Sequence, residues 1–283
     1  MGSGTSEANA LRRLIVNADD FGFTPGVTAG ILEAHAAGTV GSTSMMVHCP
    51  GWEDGVRQAR ATPALDIGLH VNLLVGRPIV AARSLTDPRS GLFLSLGAIV
   101  RRALLGALDA GEIEAEATAQ LDMLARAGIR CTHVDSHRHT HALPVVRGAV
   151  ARVARRAGLP LRRPVESHLH VAGGMASQLH RAVIGAAWRV TSVGAPRTRS
   201  TDHFGGVSTQ GARDFAGDFL RTVDALSRGT TEIMVHPGHA DDALMAIDGY
   251  THQRERELAA LTSPAVRERL RREDLTVIAF SQL

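Results

Sequence analysis

Residues 133–141 read HVDSHRHTH, and the period assigned to this stretch decides the fold. Four histidines and one aspartate alternate here, as His133, Asp135, His137, His139 and His141. In a β-strand, residues two apart face one side, so all five would project together. In a helix His133, His137 and His141 would share a face instead. The approach favours a strand: Gly128 ends a helical pattern, and Cys131, Thr132 and Val134 follow it. Pro144 then suits the first position of the next helix. The cluster is expected at a strand's carboxyl end and in the loop beyond, where parallel α/β sheets bind ligands.

The same alternation of strand and helix runs through the chain. Strands are expected over 11–19, 42–47, 65–73, 131–137, 161–167, 201–205, 232–238 and 275–280. Between them lie stretches rich in Ala, Leu, Arg and Glu, several ending in Gly, as helices do. This order implies a parallel sheet covered by helices, and eight strands suggest an irregular TIM-like (β/α) barrel. A doubly wound open sheet is the structural rival. Residues 11–283 form a single domain in this reading, after a disordered leader over 1–10. Segment 74–91, LVGRPIVAARSLTDPRSG, is long enough to act as a lid or a substrate-contacting loop, and Arg77 within it is a substrate-binding candidate.

Composition removes several functions. Hydrophobic residues make up 44% of the 283, enough for a large core. Lysine is absent, so Schiff-base, pyridoxal-phosphate and P-loop chemistry are excluded. All 31 basic residues are arginine, balanced by 28 acidic ones, and only ten aromatic rings are Phe, Trp or Tyr. That is poor material for stacking nucleic-acid bases, and no nucleic-acid partner is expected. Cys49 and Cys131 form no disulfide framework and suit small buried residues of a reducing compartment. No apolar run is long enough for a transmembrane helix, and a cytoplasmic location is the default expectation.

Three further motifs join the histidine cluster. In IVNADDFG, Asn17, Asp19 and Asp20 end the first strand. Adjacent carboxylates repel unless a cation or proton intervenes. Helix capping falls instead to Thr24, just before Pro25. In DIGLHVNL, Ile67, Leu69, Val71 and Leu73 face the helices, while Asp66, Gly68, His70 and Asn72 face a barrel or cleft. In MVHPGHAD, His236 ends a strand and could serve as general acid or base. One ion cannot take four imidazoles from one strand, so some must support ligands or contact substrate. His133, deepest in its strand, is the candidate for a packed structural histidine.

In NADDFG, GLHVNL, HVDSHRHTH and HPG, in that order, the chain resembles the YdjC/ChbG family of carbohydrate deacetylases, including its hopanoid-biosynthesis-associated members. The resemblance implies an irregular TIM-like barrel that removes the acetyl group from an N-acetylated amino sugar with a divalent cation. It implies Asp20, His70 and His137 as metal ligands, Asp19 as catalytic base and His236 as the residue serving the leaving amine. Asn72, Asp135, His139, His141 and Arg77 remain as substrate-binding or ligand-supporting residues. The family often reads DSHHH where this chain has Arg138. On the strand reading Arg138 faces away from the ligands. The resemblance allows zinc or magnesium, while one carboxylate and two imidazoles by themselves suit zinc, cobalt, nickel or manganese. The partner is then an acetylated amino sugar or glycolipid, and the family makes a homodimer reasonable. An amidohydrolase or PHP-type hydrolase is the rival enzyme, but those place H-x-H near the first strand and often use a modified lysine. A non-catalytic metal- or sugar-binding protein is the rival from another class.

Overall fold

The computed structural model describes residues 12–166 and 175–283; the expected leader at 1–10 lies outside them. Strands β1 (Arg12–Phe21), β2 (Ser42–Met45), β3 (Asp66–Val71), β4 (Cys131–Ser136), β5 (His203–Gly205), β6 (Gly229–Val235) and β7 (Thr276–Val277) make one parallel sheet. Around it lie α1 (Pro25–Ala36), α2 (Trp52–Ala61), α3 (Leu96–Leu104), α4 (Ala110–Arg126), α5 (Val146–Arg156), α6 (Met175–Thr191), α7 (Phe215–Asp224), α8 (Asp242–Ile247), α9 (His252–Thr262) and α10 (Pro264–Leu270).

The sheet order is β4-β3-β2-β1-β6-β5, with β7 against the foot of β1. It curls into a half-barrel and does not close as a TIM barrel. Among the described residues, its edges β4 and β5 are linked only by isolated bridges, Val134 to Leu161 and Glu166 to Phe204. The expected strand at 161–167 does not form over 161–166, and its last residue lies outside the described ones. Pro164 has no N–H for a ladder there. The strands expected at 201–205 and 275–280 shrink to three and two residues. The Leu-, Arg- and Glu-rich stretch 252–273, between the last two expected strands, forms two helices divided at Ser263, which caps α10 through Val266 N–H ahead of Pro264.

β1 shows how this frame makes a polar interior. Leu14, Val16 and Ala18 join the large core beneath the helices, while Ile15 packs with Ile278 and Phe280 in a small separate cluster. Each buried Leu, Val or Ile among them contributes about 1.5–3 kcal/mol. Higher on the strand, the face that carries Ile15 carries Asn17 and Asp19, both buried. Thr24 caps α1 as expected, accepting from Val27 N–H at 3.3 Å, with Pro25 first in the helix.

Candidate active site

Chain neighbours in a strand face opposite sides, yet Asp19 and Asp20 reach one site. A bulge between Ala18 and Phe21 breaks the register with β2, and Asp20 sits at φ 76°. That left-handed conformation is uncommon outside glycine and easiest for Asp and Asn. It turns the second carboxylate to the same cavity as the first.

Asp20 Oδ1 lies 3.1 Å from His70 Nε2 and 3.0 Å from His137 Nδ1. Ligand atoms about 2.0–2.2 Å from a shared cation stand roughly 3.0–3.5 Å apart, so this donor set fits one divalent ion. All three residues are buried, and their ligand atoms lie within 4.8 Å of one another. Behind them, His70 Nδ1 donates to Asp135 at 2.6 Å, the carboxylate–imidazole support common behind metal-binding histidines. Arg254 donates to Asp20 Oδ2 at 2.6 Å and leaves Oδ1 to the histidines. Burial opposes charge on His70, but Asp135, Asp19 and Asp20 outweigh it and push the imidazole up to about 10. His70 therefore spans two carboxylates as a cation, and a metal ion would replace its Nε2 proton. Burial likewise opposes ionisation of Asp20, but Arg254 and His137 hold its carboxyl well below the usual range.

Asp19, His70 and Asp135 form a second close group. Arg162 already fills it. Its guanidinium reaches both oxygens of Asp19 at 2.6 Å, Asp135 Oδ2 at 2.8 Å and Glu232 at 2.7 Å. Asn17 adds a bond to Asp19 at 2.9 Å, and Ser44 links Asp19 to Asp135. Burial alone would raise the Asp19 pKa; Arg162, with His70 and His236, holds it well below the carboxylate range. Glu232, the third partner, is pushed up to about 7 by burial.

A cavity of about 330 Å³ opens on these groups, lined among others by Asp19, Asp20, His70, His137, His139 and His236. The structure thus brings six expected residues to one space, with Asp135 directly behind. His236 N–H is fixed by Glu257 at 2.6 Å, and Tyr250 hydrogen-bonds the same carboxylate. Burial pushes the His236 imidazole down to about 4, against the pull of Asp19 and Asp20. His139 also lines the cavity, with its buried Nδ1 unpartnered.

Three expected residues lie elsewhere. Asn72 shapes the start of loop 74–91, accepting from Leu74 and Val75 N–H and donating to Val75 O. His141 is buried behind the site between Ser136 Oγ and Arg162 O. Arg77 is exposed and rests by Gly91. Loop 74–91 itself is pinned to α4, where Glu116 accepts from Ile79 and Val80 N–H and Glu112 from Ser84 N–H. The cavity takes Leu96, beyond the loop, and none of the loop.

The alternation read in 133–141 stops at Ser136. His137–Ala142 is a tight 3₁₀ turn with Arg138 and His139 at φ 52°. Arg138 was expected to face away; the turn swings it into the cavity wall, where it pairs with Asp248 at 2.7 Å. Pro144 precedes α5 by two residues rather than opening it. His133 is the packed histidine expected, stacked on Phe280 with centroids 3.8 Å apart. Sequence reasoning missed Arg162, Arg254, Glu232 and Tyr250. For Arg162 and Arg254 the only signal was arginine inside otherwise ordinary helix and loop text.

Fold and site together define a barrel-like α/β protein whose strand ends carry a buried Asp-His-His cluster beside a second aspartate. The family model described as YdjC-like protein matches residues 13–272, and the chain belongs to that family. It is 34% identical to a carbohydrate deacetylase of Brevibacillus brevis, over 96% of this chain and 99% of that protein. It is 35% identical to a chitooligosaccharide deacetylase of Yersinia enterocolitica, over 90% of this chain and 92% of that protein. A crystal structure from Enterococcus faecalis V583, provisionally described as a cellobiose-phosphate cleavage protein, superposes with a TM-score of 0.79 at 28% identity. It covers 96% of this chain and 98% of the other.

Proposed function

We propose that this protein is a metal-dependent carbohydrate N-deacetylase, hydrolysing the acetamide of an N-acetylated amino sugar to acetate and a free amine. The observation that carries the reading is the convergence of Asp20, His70 and His137 beside an ionised Asp19, in a chain similar over nearly its whole length to carbohydrate deacetylases. Asp20, His70 and His137 would hold one divalent cation, which lowers the pKa of water and polarises the acetyl oxygen.

The chain's own residues supply the proton transfers. Asp19, fixed by two Arg162 hydrogen bonds, accepts a proton from the water that attacks the acetyl carbon. The amine nitrogen needs a proton to depart, and His236 faces the same cavity. With its pKa pushed down to about 4, His236 rests neutral and becomes the acid only when the proton that Asp19 accepts during attack is passed to it. Burial excludes bulk water from both groups and strengthens their interactions. His139 and the Arg138–Asp248 pair, on the cavity wall, would meet the sugar.

Acetate release from N-acetylglucosamine oligomers is the test. Activity should vanish with chelator and return with added zinc or magnesium. Full activity after exhaustive chelation would refute the metal requirement, and silence of the metallated protein on every acetylated amino sugar would refute the deacetylase reading.

A further inference from the structure

Helix α6 presents opposite faces of unlike purpose. Ile184 and Trp188, 7% and 5% exposed, hold it to the body of the protein. Arg147 lies over the Trp188 ring at 3.7 Å, and Thr191 Oγ1 donates to Ala142 O at 3.1 Å. About half a turn around, Met175, Leu179, Val183 and Val190 are 90%, 67%, 57% and 73% exposed, and Val193 beyond the helix is 87% exposed. At helical spacing the four form one stripe. Apolar exposure of that extent, in a row, marks an interaction surface.

The free charge of this segment is one-sided. Of the eleven arginines in residues 137–201, Arg138, Arg152, Arg156 and Arg162 are paired with carboxylates from other segments, but residues 175–201 hold Arg181, Arg189, Arg197 and Arg199 and no acidic residue, and the acid before them is Glu166. Glu166 is spoken for by Gly206, Ser208 and, at 3.9 Å, Arg181. Arg189 on α6 and Arg197 and Arg199 in the segment that follows it are exposed. A second copy would meet this face through a two-fold axis, which brings each arginine-rich surface against its own likeness. An anionic surface complements it.

We propose that α6 docks the protein on an anionic lipid bilayer, its apolar stripe lying in the plane of the interface and its arginines among the headgroups. No helix among the described residues is long and apolar enough to cross a membrane, so α6 lies on the surface rather than through it. Exposed arginines near such a stripe keep their charge in the headgroup layer while their stems cover apolar area. His180, on α6 itself, lines the cavity mouth, so docking would bring that mouth to the bilayer surface.

Co-sedimentation of the full chain with vesicles tests this independently of any enzymatic reading. Phosphatidylcholine vesicles with about 30 mol % phosphatidylglycerol should bind it, with affinity falling as salt rises. The pair Leu179→Glu with Val190→Glu should bind at least about tenfold more weakly, as should Arg189→Glu with Arg197→Glu. Circular dichroism melting checks that each variant folds, and the arginine pair decides the matter if the apolar pair does not. Failure to bind these vesicles, or undiminished binding by folded variants, would overturn the proposal. So would a dimer in analytical ultracentrifugation that Leu179→Glu with Val190→Glu converts to monomer, since the face would then join two copies.

Discussion

The guanidinium of Arg162, wholly withdrawn from water, faces Asp19, Asp135 and Glu232 at 2.6–2.8 Å. One cation in a dry site resolves the repulsion of three carboxylates, and it sets their separate tasks. Asp19 is held ionised in a fixed plane, and Asp135 is steadied behind His70. Asp20, one residue on, takes its partners from Arg254 and the two histidines. A three-variant series separates these roles. Asp19→Asn should retain divalent-metal affinity in calorimetry while turnover drops about 10²–10⁴-fold. Asp20→Ala should lose metal affinity and turnover together. Arg162→Lys keeps the charge but not the two-pronged grip, so turnover should fall with metal affinity largely kept. Unimpaired turnover in Asp19→Asn would remove it as the base. Asp20, His70 and His137 stood out in the sequence as ligand-type residues at strand ends, and the family resemblance, rather than spacing, implied them as one ligand set. Arg162 did not stand out: it adjoins half-buried Arg163 in LRRP, and only tertiary packing distinguishes the two.

At the scale of elements, the long strands were readable and the departures from strand geometry were not. Hydrophobic alternation in DIGLHVNL identified which face β3 presents, while β1 showed only an apolar run leading into Asn17, Asp19 and Asp20. A bulge at Asp20 and a left-handed pair at Arg138–His139 have no periodic signature, yet these two irregularities aim Asp20 and Arg138 into the cavity. Backbone conformations of this kind cost about 1–3 kcal/mol each and are held by surrounding contacts. A related constraint positions the turn after β6, which carries His236. Gly30 of α1 packs so closely on this turn that a Cβ there would lie 2.5 Å from Gly238 Cα. Gly238 Cα is backbone and a Cβ has no rotamer by which to avoid it, so Gly30→Ala should destabilise the protein by about 1–3 kcal/mol in urea unfolding, despite alanine's better helix propensity. A stabilised variant would show that α1 and the turn can move apart freely.

For the whole molecule, strand–helix alternation carried the α/β class but not closure. Closure depends on pairing between β4 and β5 through 161–166, and Pro164 together with the inward turn of Arg162 leaves only single bridges there. The interior so formed is polar, and its histidines respond to pH. Burial pushes His133 and His141 down to about 3 in the folded state, against an ordinary 6.5. Between those values the unfolded chain binds protons that the folded chain does not, so stability is present above pH 6.5 and is lost as pH falls. His70, pushed up to about 10, acts oppositely: its contribution is full below 6.5 and is lost as pH rises toward 10. His236, pushed down to about 4, adds to the loss on acidification and Glu232, pushed up to about 7, opposes it, so metal-free protein should be about 2–4 kcal/mol less stable at pH 5 than near pH 6.5, measured by urea denaturation. Equal or greater stability at pH 5 would mean that these histidines are protonated in the fold.

Everything proposed for the chemistry requires one cation among Asp20, His70 and His137. Anomalous diffraction at the zinc edge, from a crystal equilibrated with zinc, addresses it directly. A single strong peak is expected about 2.0–2.2 Å from Asp20 Oδ1, His70 Nε2 and His137 Nδ1. A crystal with no peak there, or with zinc bound instead between Asp19 and Asp135 in place of Arg162, would contradict it.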